Sequence, residues 1–216
     1  YARSVKLPAW RLPGFNAPRR GDVVVFNYPG EDKPVDRKTH YIKRLIALPG
    51  DTLSILNKVP RINGLEMPLR DEMQQKWMAF RRPGKPFPVE RLRERGVEEV
   101  STIGARAEGV SFASSVALAR EVAGWDEVSN VEPFVTRRDP AYSMRIFPGG
   151  SGFVPDNYGP LYVPAAGDTL HLTPANWPAY ADLIQRFEGH TAEPLPDGTF
   201  AIDGERTTRY VVEQDY

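Results

Sequence analysis

The most informative segment of the chain is Tyr41–Leu53, which reads YIKRLIALPGDTL. Its first part, Tyr41–Leu48, is rich in aliphatic and aromatic residues, and such residues are typical of β-strands. Pro49-Gly50-Asp51 follows and predicts a turn, because glycine tolerates backbone conformations that other residues avoid. Thr52–Ile55 predicts the next strand. The segment therefore indicates two strands separated by a tight turn.

The same pattern of strands and turns extends to both sides of this segment. Upstream, Asp22–Tyr28 is dense in Val and Phe and stops at a Pro-Gly pair, which predicts another strand before a charged loop. Downstream, Val59–Met67 contains Asn63-Gly64, a pair that supplies the positive φ angles of a type I′ hairpin turn. Residues 20–67 are therefore predicted to form a meander of short strands.

The middle of the chain, residues 68–160, has a mixed pattern. Hydrophobic residues at spacings of three and four predict helices there, and β-branched runs predict strands between them. The predicted elements are helices over Leu69–Phe80, Val89–Arg95 and Ser114–Val122, and strands near Val97–Ile103 and Gly109–Phe112. We interpret this region as an inserted α+β module.

The last part of the chain returns to the strand-rich pattern. Gly167–Leu172 repeats the earlier turn-plus-strand sequence, and Asp203-Gly204 is a second hairpin signal. Between them, Pro174–Phe187 predicts a helix with Thr173 as its N-cap and Pro174 at its first position. The predicted fold class is mainly β, with a β-rich part at 1–67, an inserted module at 68–160, and a β-rich part with one helix at 161–216.

Composition excludes several classes of function. The chain has 216 residues, with 28 Lys and Arg against 28 Asp and Glu, so it has no basic excess to neutralise nucleic-acid phosphates. Cysteine is absent, which rules out disulfides and thiolate metal sites. The histidines His40, His171 and His190 have no metal-ligand spacing, and no apolar stretch reaches the ~18–20 residues of a membrane span. We therefore expect no nucleic-acid partner and no metal.

Lys43 is the main candidate for a chemical role. Lysine is depleted in strands, yet Lys43 lies between Ile42 and an aliphatic run that begins at Leu45. In an alternating strand it shares its face with Tyr41 and Leu45, so a mostly apolar setting is expected. Desolvation disfavours an ammonium, and a neutral lysine accepts a proton from a serine hydroxyl. The alternative, which the strand pattern alone favours, is a snorkelling lysine whose amine stays in water.

Lys43–Leu53, with Tyr41-Ile42 before it, resembles the lysine-bearing box of bacterial type I signal peptidases. That box reads Lys-Arg, two small or aliphatic residues, Gly or Ala, any residue, Pro-Gly, an acid, any residue and an aliphatic, and every position is matched. Arg20–Phe26 resembles the box that precedes it in the family, at the same short distance. The resemblance implies an antiparallel β-sheet catalytic core of signal-peptidase type, with a large inserted α+β module, and a serine endopeptidase with a Ser-Lys dyad.

The resemblance also implies roles for individual residues. Lys43 would be the general base, and Tyr41 and Ile42 would line the shallow pockets that accept small residues before the cleavage site. No metal or organic cofactor is implied. Four further residues are expected to shape the structure near the site, namely Asp22 and Arg44 as an ion pair and Gly50 and Asp51 in the turn.

Two elements of the family pattern are not found in the chain. The nucleophilic serine of the family lies in a Ser-Met-any-Pro segment upstream of Arg20, where Ser4 is the only serine and is followed by Val-Lys-Leu-Pro. The Gly-Asp-Asn box with its later Ser and Asp is also absent. Ser143-Met144 has its proline two positions too late and lies downstream of Lys43, and Asp156-Asn157 lacks the glycine, so neither is assigned a role. We expect the nucleophile to lie outside the residues of this chain.

The resemblance implies a protein that acts at a membrane. Its partners would be the signal peptides of exported preproteins and the membrane surface, reached through an N-terminal anchor outside this chain. Its location would be the bacterial inner (cytoplasmic) membrane, with the catalytic domain on the extracytoplasmic side.

Two other interpretations stay open. A catalytically inactive relative would use the same scaffold as a peptide-binding or assembly module, because an exposed strand edge binds extended peptides without chemistry. A self-cleaving repressor-type peptidase would share the Ser-Lys logic. The Arg-Gly-Asp and Pro-Gly-Asp boxes, and the lack of a DNA-binding signature, argue against this last interpretation.

Overall fold

The computed structural model describes residues 17–104, 108–135 and 146–216. The chain divides into two compact units, Tyr1–Leu48 and Pro49–Tyr216. Regular structure in both units consists mostly of antiparallel strands. The predicted fold class, mainly β, is therefore confirmed.

The regular elements of the described residues follow the chain in short segments. The strands are β1 (Val23–Asn27), β2 (His40–Arg44), β3 (Thr52–Leu56), β4 (Val59–Ile62), β5 (Leu65–Glu66), β6 (Gln74–Arg81), β7 (Val100–Ile103), β8 (Gly109–Ser115), β9 (Val128–Pro133), β10 (Asn157–Tyr162), β11 (Thr169–His171), β12 (Ala192–Pro194), β13 (Phe200–Ile202), β14 (Glu205–Thr207) and β15 (Arg209–Val211). The helices are α1 (Val89–Glu94), α2 (Val116–Ala123) and α3 (Trp177–Asp182), with a 3₁₀ turn at Val35–Arg37 and a π-helical turn at Leu183–Phe187.

The first unit contains a two-stranded antiparallel hairpin of β1 and β2. The connecting loop is held by Glu31, whose carboxylate accepts hydrogen bonds from the backbone N–H and the hydroxyl of Thr39, each at 2.9 Å. The backbone bond is the largest cause that lowers the pKa of Glu31 to about 2, so the carboxylate is charged at neutral pH. These bonds close the loop and bring the two strands into register.

β2 is shorter than the predicted strand, which was expected to continue to Leu48. It ends at Arg44, opposite Val23. Beyond it, Leu45 exchanges only two backbone bonds with the chain before β1, from its N–H to Asp22 and from Gly21 to its carbonyl. Gly21 adopts a φ of 93°, which turns the partner chain away. Among the described residues, regular pairing between β1 and β2 therefore does not continue along the aliphatic run after Leu45.

The second unit begins with a four-stranded antiparallel sheet in the order β10-β3-β4-β5. β4 and β5 are joined by Asn63-Gly64, with φ angles of 53° and 81°, as the predicted type I′ turn requires. β10 pairs with β3 although about a hundred residues separate them in sequence. The chain thus leaves this sheet after β5 and returns to it with β10, as expected of an inserted module; the predicted boundaries at residues 67 and 160 stay a prediction.

The segment between β5 and β10 forms a second antiparallel sheet, in the order β7-β8-β6-β9. Helices α1 and α2 pack on it around a core of apolar side chains, among them Trp77, Leu92, Phe112 and Val122. α1 lies within its predicted range, whereas α2 begins two residues later and ends one residue later than predicted, at Ala123, with Gly124 as its C-cap. The module is therefore α+β, as predicted.

The predicted helix over Leu69–Phe80 is wrong, because Gln74–Arg81 forms β6. β6 is a central strand that pairs with both β8 and β9. Trp77 and Ala79, two residues apart, are both buried in the core, which is the periodicity of a strand. The spacing of apolar residues by three and four was therefore coincidental, and pairing on both sides overrides helix propensity.

The C-terminal part of the second unit packs small sheets against one helix. β11 pairs with β15, and β12, β13 and β14 form a three-stranded sheet. The predicted hairpin turn at Asp203-Gly204 joins β13 and β14 and has φ angles of 50° and 84°. The core of this part includes Leu170, Ile184, Phe200 and Val212.

The helix predicted over Pro174–Phe187 begins three residues later than expected. α3 starts at Trp177, after Asn176 in the N-cap position. Thr173 and Asn176 exchange hydrogen bonds, with the Thr173 N–H donating to the amide oxygen at 2.8 Å and the Thr173 hydroxyl accepting the Asn176 N–H at 3.2 Å. The hydroxyl bond is the one that an N-cap threonine makes, so Thr173 caps the turn that leads into α3, although the regular helix begins only at Trp177.

Candidate active site

Lys43 lies in β2 with its cross-strand partner Val24. Directly opposed residues of an antiparallel pair point to the same face, and side chains alternate along each strand. Tyr41, opposite Phe26, therefore shares the face of Lys43. Ile42 lies on the other face of the hairpin, so the two residues expected to line substrate pockets point in opposite directions.

Three aromatic side chains, Phe26, Tyr28 and Tyr41, pack together on the hairpin. The ring of Tyr41 contacts Tyr28 edge-on, with centroids 5.1 Å apart, and Phe26 in a tilted arrangement at 6.2 Å. The Lys43 Nζ lies 5.5 Å from the centroid of the Tyr41 ring. This distance is within the range of a cation–π interaction, which is worth about 0.5–1 kcal/mol at an exposed position. The ring gives the amine a defined place on the hairpin surface.

The expected burial of Lys43 is not found. Lys43 is exposed, and Tyr41 and Phe26 are each 39% exposed. Two strands alone offer little surface to cover a side chain, so the Tyr41 ring lies beside the amine without removing it from water. The amine is therefore accessible, and groups other than those that now surround it would have to desolvate it.

The opposite face of the hairpin carries an exposed apolar strip. Val23, Val25 and Ile42 are 56%, 67% and 63% exposed. Val25 lies directly opposite Ile42. Contiguous exposed apolar residues of this kind mark surfaces that contact another apolar surface.

Arg44 and Asp22 tie the end of β2 to the start of β1. The Arg44 guanidinium donates to the carbonyl of Gly21 at 2.6 Å. The Asp22 carboxylate accepts from the backbone N–H of Arg19 at 2.8 Å. Both side chains thus stabilise the chain reversal that precedes β1, and the ion pair between them stays a prediction.

Gly50 and Asp51 lie in the turn at the start of the second unit. Gly50 has a φ of 87°, and its N–H donates to the carbonyl of Val163. Asp51 is buried at 3% exposure, and its carboxylate accepts from the side-chain amide of Asn63 at 3.0 Å. Asn63 in turn accepts from the backbone N–H of Thr52. These contacts connect the turn to the β4–β5 hairpin and are structural in character.

Sequence reasoning missed that Phe26 and Tyr28 pack against the Tyr41 ring, which lies beside Lys43. Alternation along the predicted strand places them on one face, but which face meets Lys43 depends on the register between β1 and β2. Ser4 and Ser143-Met144 lie outside the described residues. Residues 17–48 contain no serine in their sequence.

Two further observations bound the chemistry. Within residues 17–104, 108–135 and 146–216, no cluster of three or more His, Asp or Glu side chains is arranged to hold a metal ion. In the same part of the chain, no helix has the length and apolar character that a bilayer crossing requires.

Comparison with known proteins identifies relatives of this chain. The family model described as "Signal peptidase, peptidase S26" matches residues 5–111, about half of the chain. A curated protein called Signal peptidase I P, from Bacillus subtilis subsp. natto, is 54% identical over 46 residues, which is 21% of this chain and 22% of the relative. A second protein of that name and source is 47% identical over 49 residues, 23% of each chain. The matched region thus spans less than a quarter of either relative.

No solved structure matches the chain. The matched residues 5–111 include the lysine-bearing box, the preceding Arg-Gly-Asp box and both strands of the β1–β2 hairpin. Through this N-terminal half, the chain belongs to the type I signal peptidases of peptidase family S26.

Proposed function

We propose that the protein is an endopeptidase that cleaves signal peptides from exported preproteins, with Lys43 as the general base of a Ser-Lys dyad. The observation that carries this proposal is the position of Lys43. It lies within the family-matched residues, in a complete lysine box, and its amine is accessible on a strand that could lie beside an extended peptide. The activity of the whole protein is part of the proposal.

The proposed reaction is acyl transfer. A serine supplied from outside the residues of this chain attacks the scissile carbonyl while Lys43 accepts its proton. Backbone N–H groups stabilise the negative charge that develops on the carbonyl oxygen, and the protonated lysine then gives its proton to the leaving amine. Water subsequently releases the acyl group from the serine.

A lysine acts as a base at neutral pH only when its amine is desolvated. Lys43 is exposed on the hairpin, so we propose that the bound peptide and the serine-bearing segment cover it during the reaction. The ring of Tyr41, itself packed against Phe26 and Tyr28, already lies beside the amine. Closure would then need apolar cover only from the remaining side.

We propose that the substrate binds as an extended strand with small side chains near the cleavage site. Tyr41 lies on the face of Lys43 and is suited to line a pocket beside the reacting bond. Ile42 lies on the opposite face and would contact the neighbouring substrate side chain, because side chains of an extended peptide also alternate. The protein would work at the extracytoplasmic surface of the inner membrane, held there by an N-terminal anchor.

The decisive experiment replaces Lys43 in the complete protein and measures processing of a preprotein. Lys43→Ala is expected to abolish cleavage without loss of folding. The matched control is Lys76→Ala, because Lys76 is also an exposed strand lysine whose Nζ lies over an aromatic ring, that of Phe134 at 4.6 Å. Near-normal processing by Lys43→Ala would show that Lys43 is not the base.

A second candidate function is peptide binding without cleavage. The exposed strip of Val23, Val25 and Ile42 favours it, because such a surface can bind an apolar segment without any catalytic step. This alternative predicts that the complete wild-type protein binds a signal peptide but leaves it intact. Cleavage that depends on Lys43 would exclude it.

A further inference from the structure

His190 lies between two carboxylates in the C-terminal part of the second unit. Its Nδ1 is 2.6 Å from a carboxylate oxygen of Asp203, and its Nε2 is 3.2 Å from one of Glu213. The ring of Tyr210 meets the imidazole edge-on, with centroids 5.6 Å apart. The His190 side chain is 24% exposed. Both ring nitrogens are therefore engaged at a half-buried position.

The three residues come from separate parts of the chain. His190 follows the π-helical turn, Asp203 lies in the β13–β14 turn, and Glu213 follows β15. No local motif relates them, since they span 24 positions from His190 to Glu213. The imidazole therefore connects the tip of one hairpin to the segment that leads out of another strand.

Only the doubly protonated ring satisfies this geometry. A neutral imidazole has one N–H donor and one lone pair, whereas the imidazolium has two donors. A carboxylate facing a lone pair is repelled, so one of the two contacts is lost when the ring is neutral. We propose that His190, Asp203 and Glu213 form a protonation-dependent clasp that joins the β13–β14 turn to the segment after β15.

The surroundings favour the charged ring. The hydrogen bond to Asp203 is the largest cause that raises the pKa of His190, partial burial opposes it, and the bond to Glu213 adds to it. The pKa of Asp203 is lowered by the same contact. The pKa of Tyr210 is raised by burial and by its bond to Glu188, so this phenol adds no charge near neutrality.

Other charged groups lie on the elements around the ring. Two shallow grooves, of about 470 and 430 Å³, flank His190 and admit water to it. Glu193 lines the first, and Glu205 and Arg209 line the second. Glu188, at the end of the π-helical turn, accepts from the backbone N–H of Glu213 at 2.9 Å and so adds a further negative charge nearby. Because carboxylates outnumber the arginine, this surface favours a positive ring.

The clasp should open on the Glu213 side. Asp203 is anchored by two further bonds, which its carboxylate accepts from the N–H of Thr191 at 2.9 Å and from the hydroxyl at 3.0 Å. Its contact with the ring is also the shorter of the two. A neutral His190 therefore keeps its proton on Nδ1, toward Asp203, and presents the Nε2 lone pair to Glu213.

Nitrogen NMR of the isotopically labelled full chain tests this directly, because imidazole ¹⁵N shifts report both charge and tautomer. In a titration from about pH 5 to about pH 9, His190 is expected to lose its proton above the ordinary histidine pKa of 6.5 and to end as the Nδ1–H tautomer. Loss of the proton at or below that ordinary value, or a neutral ring protonated on Nε2, would overturn the clasp.

Conservative variants separate the two sides of the clasp. Glu213→Gln is expected to lower the titration midpoint of His190 and to leave the amide signals of the β13–β14 turn unchanged. Glu205→Gln removes a carboxylate from the same groove and is the matched control, with a smaller expected shift. If the two variants shift the midpoint equally, the effect is a general surface potential and the clasp is refuted.

Discussion

The β1–β2 hairpin and the C-terminal part of the second unit each hold a basic group beside a tyrosine ring, in otherwise opposite settings. Lys43 lies 5.5 Å from the ring of Tyr41, and the His190 ring lies 5.6 Å from that of Tyr210. Lys43 is exposed, whereas His190 is bonded to two carboxylates and is only 24% exposed. An accessible amine can react with a group from another molecule. An imidazole whose two nitrogens both contact carboxylates can respond only by gaining or losing a proton.

The difference follows from what each region packs against. The hairpin has two strands, and its large apolar residues remain exposed on both faces. The C-terminal part has a core that includes Ile184, Phe200 and Val212, each at most 1% exposed. Packing is therefore concentrated in the C-terminal part, and the proposed reactive amine lies in the hairpin, as expected if reactive surfaces are drawn from the less packed elements.

The largest expected effect is on catalysis by the hairpin. Lys43→Arg keeps the positive charge and most of the contact with Tyr41, but a guanidinium does not give up its proton in proteins. If Lys43 is a base, preprotein processing by the complete protein should fall by about 10²–10⁴-fold, as for loss of a general base. Activity close to that of the wild type would mean that the residue acts through its charge alone.

The next largest effect compares two phenylalanines. Phe200→Ala should lower the free energy of unfolding by about 3–5 kcal/mol, because Phe200 is fully buried and its ring stacks on Trp177 at 4.8 Å. Phe26→Ala, at 39% exposure, should cost less than about 1 kcal/mol. Urea denaturation of both variants measures this difference. Equal losses would show that the hairpin is better packed than its exposure indicates.

A smaller effect is expected from the ring beneath the lysine. Tyr41→Leu removes the cation–π contact, worth about 0.5–1 kcal/mol, so the rate of processing should fall about 2- to 5-fold. Tyr41→Phe keeps the ring and should retain nearly full activity. Measurement of kcat and KM for both variants separates placement of the amine from substrate binding, and identical losses in both would show that the ring does not place the amine.

The smallest effect concerns pH. Because the pKa of His190 is raised in the folded state, its contribution to stability is fully present below the ordinary value of 6.5 and is lost as the pH rises through the folded-state pKa. The stability difference between wild type and His190→Gln should therefore be greatest in mild acid and shrink in mild alkali. Urea denaturation of both proteins across this pH range measures the difference, and a difference that stays constant with pH would contradict the prediction.

Local sequence signals predicted several elements correctly. Asn63-Gly64 and Asp203-Gly204 form the expected hairpin turns, because few other residues adopt consecutive positive φ angles without strain. α1 and α2 were also identified from their spacing of apolar residues. The predictions failed where pairing with another strand decided the outcome. β6 became a strand between β8 and β9, and β2 ends at Arg44, opposite the first residue of β1.

The candidate site was predictable only in part. The lysine box drew attention to Lys43 because a motif is a property of consecutive residues. The exposure of Lys43, the aromatic rings on its face and the separation of Tyr41 from Ile42 follow from strand pairing and from how little covers the hairpin.

The sequence by itself determined that the chain is mainly β, where its tight turns lie and which lysine a signal peptidase would use. Turn residues and motifs act over a few positions, so their consequences are readable without the rest of the chain. Only the tertiary structure decided that β10 returns to β3 and that His190 meets both Asp203 and Glu213. Contacts between distant residues depend on register and packing, which emerge from the energy of the whole fold.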